Sequence, residues 1–248
     1  DSEEMKPIRP EMPPMMGEPD ELEFLRLEKE LVGMYLSSHP LDVYRLEKEQ
    51  FTNTNCADLP SLITKCQEKK KPMSHVAIVG YVSAFENKTS KTGKPYGDIV
   101  VEDFDGAFNI RLTGKDYEKY MGHFQLHNSL LIEGKIDEKF FRKPEDHKPD
   151  DDVEYGFKIG TVTLLGNVAE ERVKSLKVYV PATAEYDGAA LIKVLKSNKG
   201  KTPLNVYVVD PVTGYAVEYC SQKYKVRASA DLTDSLDFLG LKWTLLKS

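Results

Sequence analysis

The chain has 248 residues, of which 40% are hydrophobic and 30% charged, with a formal net charge of -6 and a pI near 5.5. That length allows one large domain or two small ones, each with its own core. The acidity excludes a surface coated with base for indiscriminate nucleic-acid binding, so any such site has to be local. No apolar run approaches the roughly 20 residues that span a bilayer. The opening "DSEEMKPIRPEMPPMMGEPD" has neither the basic start nor the apolar core of a signal peptide. A cytoplasmic location without a membrane is therefore expected, and a Pro- and Met-rich opening without an initiator Met reads as a fragment of a longer chain. Cys56, Cys66 and Cys220 are widely scattered, with no CxxC spacing for zinc or a redox pair, and read as buried or idle thiols.

In chain order, residues 1–20 carry prolines and charges without apolar periodicity and are expected to be extended or disordered. Residues 21–73 form a helical linker segment in pieces. In "EKELVGMYLSSHPLD", Leu27, Leu31, Met34 and Tyr35 fall on one helical face, and Pro40 disfavours helix at the residue before it, so this helix should end near Ser38. His39 is punctuation on this reading, with no second ligand or base beside it. A second helical stretch is expected over Val43–Glu49, and a third from a cap near Asp58 to just before Pro72.

The period then changes. Val76–Phe85, Asp98–Asp103 and Ala107–Leu112 have the β-branched and aromatic content of strands, with Asp105-Gly106 composed as a tight turn in which both residues can adopt positive φ. "KDYEKYMGHF" reads as a short helix, "NSLLIEGKIDEKFF" as a long strand around Gly134, and "EYGFKIGTVTLLG" as a fifth strand. Three strands, a helix and two strands is the order of an OB-fold, assigned to residues 74–168, and Gly80 and Gly134 suit the bends of a small barrel.

Residues 169–176 read as a link. Residues 175–248 form a second small domain in β-α-β-β-β-α-β order, with Ala190, Ile192, Val194 and Leu195 as core candidates of its first helix and "PVTGYAVEYC" and "QKYKVRAS" as two strands of a meander. The fold class is thus α+β and multi-domain: a helical segment, a five-stranded OB-fold barrel, and a small mixed α/β C-terminal domain.

The loop "ENKTSKTGKPYG" joins the first two barrel strands, from which OB-folds grip single strands. Lys88, Lys91 and Lys94 against Glu86 give it a net positive charge of two, and Tyr96 or Phe85 could stack on a base. Arg111 and Lys115 could extend the phosphate track. The bland alternative is a solvated hairpin. Asp150, Asp151 and Asp152 lie in a Pro-flanked polar loop, unlike the rigidly held carboxylates of two-metal catalysis. In "HFQLH", His123 and His127 have zinc-helix spacing, but Phe124 stands where a metalloprotease needs Glu. No phosphate-binding loop, nucleophile elbow or Cys/His pair occurs, so neither catalytic nor metal-ligating residues are assigned.

These pieces closely resemble the C-terminal region of the bacterial replicative DNA polymerase III alpha subunit. A helix ending in "YLSSHPLD", a basic first barrel loop and "VEDFDG" before the third strand match that family's segment, specifically from Leu27 to Gly166 and more weakly from Ser175 onward. The resemblance implies a non-catalytic part of a DNA-directed DNA polymerase, a nucleotidyltransferase whose active site and Mg2+ lie upstream, so no cofactor is expected in this part. It implies single-stranded DNA as the partner of the barrel. The clamp-loader tau subunit would bind residues 175–248, with Trp243, Leu239 and Leu245 as candidate anchors. The sliding clamp would be reached through a region upstream of this one. An OB-fold module that binds RNA and a protein-interaction scaffold are the alternatives; single-stranded DNA against RNA competition separates the first, and loss of salt-sensitive DNA binding favours the second.

Overall fold

The computed structural model describes residues 21–33, 35–139, 154–183, 186 and 188–248. The loop aspartates Asp150, Asp151 and Asp152, the tail 1–20 and Met34 lie outside the described residues. By contact the chain divides into two units, Asp1–Pro40 and Leu41–Ser248.

In the first unit, α1 spans Glu21–Val32. It stops six residues before Ser38 because Gly33 takes φ +86°, a left-handed turn that donates its N–H to the Lys29 carbonyl at 2.8 Å. Glu28 then folds the following segment back, accepting from the backbone N–H of Leu36 (2.8 Å) and Ser37 (3.0 Å) and from the Ser37 hydroxyl (2.8 Å). Pro40 is therefore not what ends the helix. His39 packs edge-on against Tyr35, with ring centroids 5.1 Å apart. The expected apolar stripe is exposed at Leu27 and Leu31.

The second unit opens with a single 3-10 turn, Asp42–Tyr44, then α2 (Arg45–Phe51) and α3 (Leu59–Lys69). Asp58 sits at the start of α3 as expected, but its side chain caps nothing; Asn55 Oδ1 instead accepts the Asp58 N–H at 2.7 Å. The barrel consists of β1 (Met73–Thr89), β2 (Pro95–Glu102), β3 (Ala107–Thr113), α4 (Gly114–Tyr120), β4 (Ser129–Lys139) and β5 (Glu154–Leu164). Its strands lie in the antiparallel order β3-β2-β1-β4-β5, with the long β1 shared between β2 and β4 and bulged between Val82 and Ala84. This order, with the helix between the third and fourth strands, is that of an OB-fold.

Val76, Ile78, Ile99, Val101, Ile110, Leu112, Leu130 and Ile132 fill the interior, and Phe124 closes it beyond α4. Gly134 is required where β4 and β5 bend together: a Cβ there would stand 2.1 Å from the Lys158 carbonyl oxygen. The β2–β3 turn does not use positive φ at Asp105 or Gly106. The buried Asp103 carboxylate builds it, accepting from the N–H groups of Asp105 (2.9 Å) and Gly106 (3.0 Å). Its second oxygen accepts the Cys56 N–H at 2.7 Å and ties the start of α3 to the barrel.

The expected link is partly a helix, α5 (Leu165–Arg172), whose Leu165 and Val168 pack on Val79, Tyr81 and Leu131 of the barrel. Arg172 pairs with Glu133 of β4 at 2.6 Å. Beyond it, β6 (Val173–Pro181), α6 (Gly188–Ser197), β7 (Lys199–Val209), β8 (Ala216–Val226), α7 (Ala230–Phe238) and β9 (Lys242–Lys247) make a mixed sheet in the order β8-β7-β6-β9, with β6 and β7 parallel. The two meander strands are one strand, β8, interrupted by a bulge: Asn205 pairs with Cys220 but Pro203 with Lys225, and Ser221 Oγ accepts the Tyr224 N–H across the excess residues at 2.9 Å. Both helices cover one face, burying Leu191, Leu195, Leu232 and Leu236 against Leu176, Val178 and Leu204. Ile192, expected in that core, is exposed; Leu191 takes its place.

Candidate nucleic-acid interface

The alternation that buries Ile99 and Val101 in β2 and Ile110 and Leu112 in β3 turns Tyr96, Asp98 and Arg111 outward. Register then decides who meets whom. Lys88 lies opposite Tyr96, which lies opposite Thr113; Glu86 lies opposite Asp98, which lies opposite Arg111. The result is a charged ladder on the outer face of the first three strands, next to the loop between β1 and β2. In OB-folds this surface and this loop are where oligonucleotides bind.

Asp98 is the centre of the ladder. Arg111 donates to it twice, from Nε to Oδ1 at 2.6 Å and from Nη2 to Oδ2 at 3.2 Å, and Lys88 Nζ donates to the same Oδ2 at 3.1 Å. Lys88 is also 2.6 Å from Glu86. Hydrogen bonds from Arg111 and then Lys88 hold the Asp98 carboxyl below its usual range, while the Glu86 and Asp98 hydrogen bonds push the Lys88 ammonium up. The formal charges of Glu86, Lys88, Asp98 and Arg111 cancel. Two of the expected phosphate contacts, Lys88 and Arg111, are thus already engaged by carboxylates.

The loop tip differs. Ser90 donates its N–H to the Lys94 carbonyl at 2.8 Å and accepts the Lys94 N–H on its hydroxyl at 3.1 Å, with Gly93 at φ +76° closing the turn. Lys91 and Lys94 project from it, exposed, with no ion-pair partner among the described residues. Lys115, exposed on the first turn of α4, stands two residues beyond Thr113 and so near the same end of the ladder.

The two candidate rings part company. Tyr96 faces outward with the Arg111 guanidinium 5.4 Å from its centroid, a cation–π contact. Phe85 pairs with Ile99 and packs into the barrel interior, its ring 3.5 Å from where a Cβ on Gly97 would be. Asp98 was missed by counting charge within the loop alone. Reflecting the hairpin about Thr92 would have found it, because that operation sets Glu86 against Asp98.

His123 and His127 are not on a helix, since α4 ends at Tyr120; His127 instead has φ +73° and its Nδ1 is 2.6 Å from Tyr81 Oη. Among the described residues no group of three or more His, Cys, Asp or Glu could hold a metal ion. In the terminal sheet, Trp243, Leu239 and Leu245 pack against the core, and Trp243 Nε1 donates to Asp237 Oδ1 at 2.9 Å. Phe238, beside Leu239, is 89% exposed.

No protein-family model matches the chain. Among curated proteins, it is 26% identical over 226 residues to the DNA polymerase III subunit alpha of Haemophilus influenzae, covering 89% of this chain and 18% of that protein. It is 25% identical over 250 residues to the subunit of Neisseria meningitidis serogroup B, covering 98% of this chain and 19% of that protein. The subunit of Borreliella burgdorferi matches at 31% over 115 residues, 46% of this chain and 9% of that one. The chain therefore spans less than a fifth of the length of these relatives, and the similarity falls in their C-terminal part. Among solved structures, the mitochondrial single-stranded DNA binding protein Rim1 of S. cerevisiae aligns at 14% identity with TM-score 0.26, covering 38% of this chain and 96% of Rim1. Among the described residues, no helix is long and apolar enough to cross a membrane.

Proposed function

We propose that this chain, a relative of the C-terminal part of the DNA polymerase III alpha subunit, contributes a single-strand contact rather than chemistry to a replicative polymerase. The observation that carries this reading is the placement of Lys91 and Lys94, exposed and without ion-pair partners among the described residues, at the tip of the β1–β2 loop of an OB-fold. Their ammonium groups would reach phosphate, and Tyr96 at the foot of the loop would offer a ring to a base. Lys88 and Arg111 would join only when phosphate displaces Asp98. Lys115 would lengthen the track.

On this reading nucleotidyl transfer and its Mg2+ belong to other parts of the polymerase. The terminal sheet, residues 175–248, would tether the polymerase to the clamp-loader tau subunit, and clamp contact would fall to another region of the polymerase. Fluorescence anisotropy of a labelled single-stranded DNA across a salt series tests the barrel reading, with duplex DNA and RNA as competitors. Binding that prefers single-stranded DNA, weakens with salt and is lost in the Lys88/Lys91/Lys94→Ala variant is expected. Equal binding by that variant would sink the loop assignment, and a preference for RNA would move the barrel to the RNA-reading class.

A further inference from the structure

We propose that the open face of the terminal sheet is a second contact for single-stranded DNA, in which a base stacks on Tyr179 and the flanking phosphates meet Lys177 and Lys242. This goes beyond the barrel reading and does not depend on it. Both helices of the sheet lie on one face, so alternation along the strands leaves the other uncovered among the described residues, with Glu218, Cys220, Lys242 and Thr244 exposed on it. Register sets one row across all four strands. Glu218 of β8 lies opposite Tyr207 of β7, Tyr207 opposite Tyr179 of β6, and Tyr179 opposite Lys242 of β9. The neighbouring row is Cys220, Asn205, Lys177 and Thr244.

The two tyrosine rings stack, with centroids 5.2 Å apart and planes 28° from parallel, because partners at one register on adjacent strands stand about 4.8 Å apart. Lys177 Nζ is 5.5 Å from the Tyr207 centroid. Glu218 is engaged at the far end of the row. The Tyr207 hydroxyl donates to it, which pushes that phenol up to about 12 and holds the carboxyl below its usual range, and Asn205 Nδ2 donates to its Oε1 at 2.7 Å. Tyr207 is thereby fixed and backs one side of Tyr179. The other side is that of β9 and Lys242.

Charge selects the occupant. The four strands carry eight lysines and one acid, Glu218, in a chain of net charge -6. Asp231, Asp234 and Asp237 sit on α7, across the sheet. Lys242 is exposed without an ion-pair partner among the described residues, as is Lys225, which register places on the open face opposite Pro203. An aromatic stack that ends beside such cations suits a base joined to phosphates: the base extends the stack, and phosphate meets Lys242 without displacing a carboxylate, unlike at the barrel ladder. A protein partner seated by apolar packing needs aliphatic side chains, whereas the centre of this face bears rings, an amide and ammonium groups.

NMR of the chain with isotope-labelled tyrosines tests this, in a Lys88/Lys91/Lys94→Ala background that silences the barrel loop. Tetrathymidylate is titrated to millimolar concentration, with inorganic tripolyphosphate as the control for charge without a base. The Tyr179 ring signal, assigned by its loss in Tyr179→Phe, should move upfield with tetrathymidylate and stay in place with tripolyphosphate. Tyr179→Leu should raise the Kd about fivefold or more, while Tyr179→Phe, which keeps the ring, should bind as before. Lys242→Gln, at an exposed position that should leave the fold intact, should weaken both tetrathymidylate and tripolyphosphate. A Tyr179 ring that does not move, the same movement with tripolyphosphate, or equal affinity in Tyr179→Leu overturns the proposal, whatever the anisotropy series says of the barrel.

Discussion

Replacing Asp98 by Asn should strengthen single-strand binding, although it removes an ion-pair partner from the protein. Glu86, Lys88, Asp98 and Arg111 sum to zero charge as they stand, with Asp98 gripping Arg111 at 2.6 and 3.2 Å and Lys88 at 3.1 Å. Asn keeps an oxygen that can accept from Arg111, so the ladder geometry should persist while its sum becomes +1. Arg111 would then be free to exchange an amide for a phosphate; Lys88 would stay with Glu86, 2.6 Å away. Each phosphate neutralised on a single strand adds about 0.7 to the steepness of log K against log salt. If only Lys91 and Lys94 engage in the parent chain, the slope should be about -1.4, steepening to about -2.1 in Asp98→Asn. Anisotropy of a labelled oligothymidine at four salt concentrations reads this directly. The pairs are exposed, so the denaturation midpoint should barely move. A slope and affinity equal to the parent's would show that Asp98 does not gate Arg111, and weaker binding would mean that the ladder meets the strand through Asp98 itself.

Three further outcomes are expected. Gly134→Ala should be far more damaging than Gly80→Ala: the first sets a Cβ 2.1 Å from a backbone oxygen, the second 2.9 Å from the Val101 Cβ, an overpacking worth about 1 to 3 kcal/mol. Comparable urea midpoints for the two would refute the bend argument. Asp103→Ala should cost about 2 to 4 kcal/mol, since it strands the N–H groups of Cys56, Asp105 and Gly106, with Asp103→Asn recovering part of the loss; a change below 1 kcal/mol, about what an exposed site gives, would deny it that role. Glu47 has a folded-state carboxyl raised from 4.5 to about 7, so between those values the folded chain holds its proton more tightly than the unfolded chain. Stability should therefore fall as pH rises from 4.5 through about 7 and then level off, by about 3 kcal/mol in all. Urea melts of Glu47→Gln should lack that decline, and a parallel pH profile would show that Glu47 is not its source.

The barrel was legible because its signals are local. β-Branched alternation marked β1 to β5, and the strand-strand-strand-helix-strand-strand order leaves few other closures. Helix ends were harder, since Pro40 was a visible stop and Gly33 a quieter one; the left-handed turn at Gly33 acts first because the chain reaches it first. The 169–176 link concealed α5, whose Leu165 and Val168 gain their reason to be helical from Val79 and Leu131, more than thirty residues away. The bulge in β8 is of the same kind: Ser221 interrupts the apolar pattern as a turn would, yet Pro203 and Lys225 still pair beyond it. At the site, exposure of Lys91 and Lys94 followed from composition, whereas the fate of Lys88 and Arg111 depended on a residue ten or more positions away.

That dependence bears on how an acidic chain could hold a nucleic-acid contact at all. A ladder whose cations are satisfied internally adds little to encounter or affinity, because a phosphate must displace a carboxylate to gain each one. Lys91 and Lys94, without ion-pair partners among the described residues, would alone give a weak, salt-dependent contact. Within a larger assembly that already holds the strand, the same contact becomes intramolecular, and its effective concentration rather than its own affinity decides occupancy. A surface that grips weakly also releases quickly, which suits a strand that must slide past it. On the single-strand reading, neutralisation by Asp98 would keep the contact weak, and the Asp98→Asn variant should bind DNA better in isolation while moving along it more slowly.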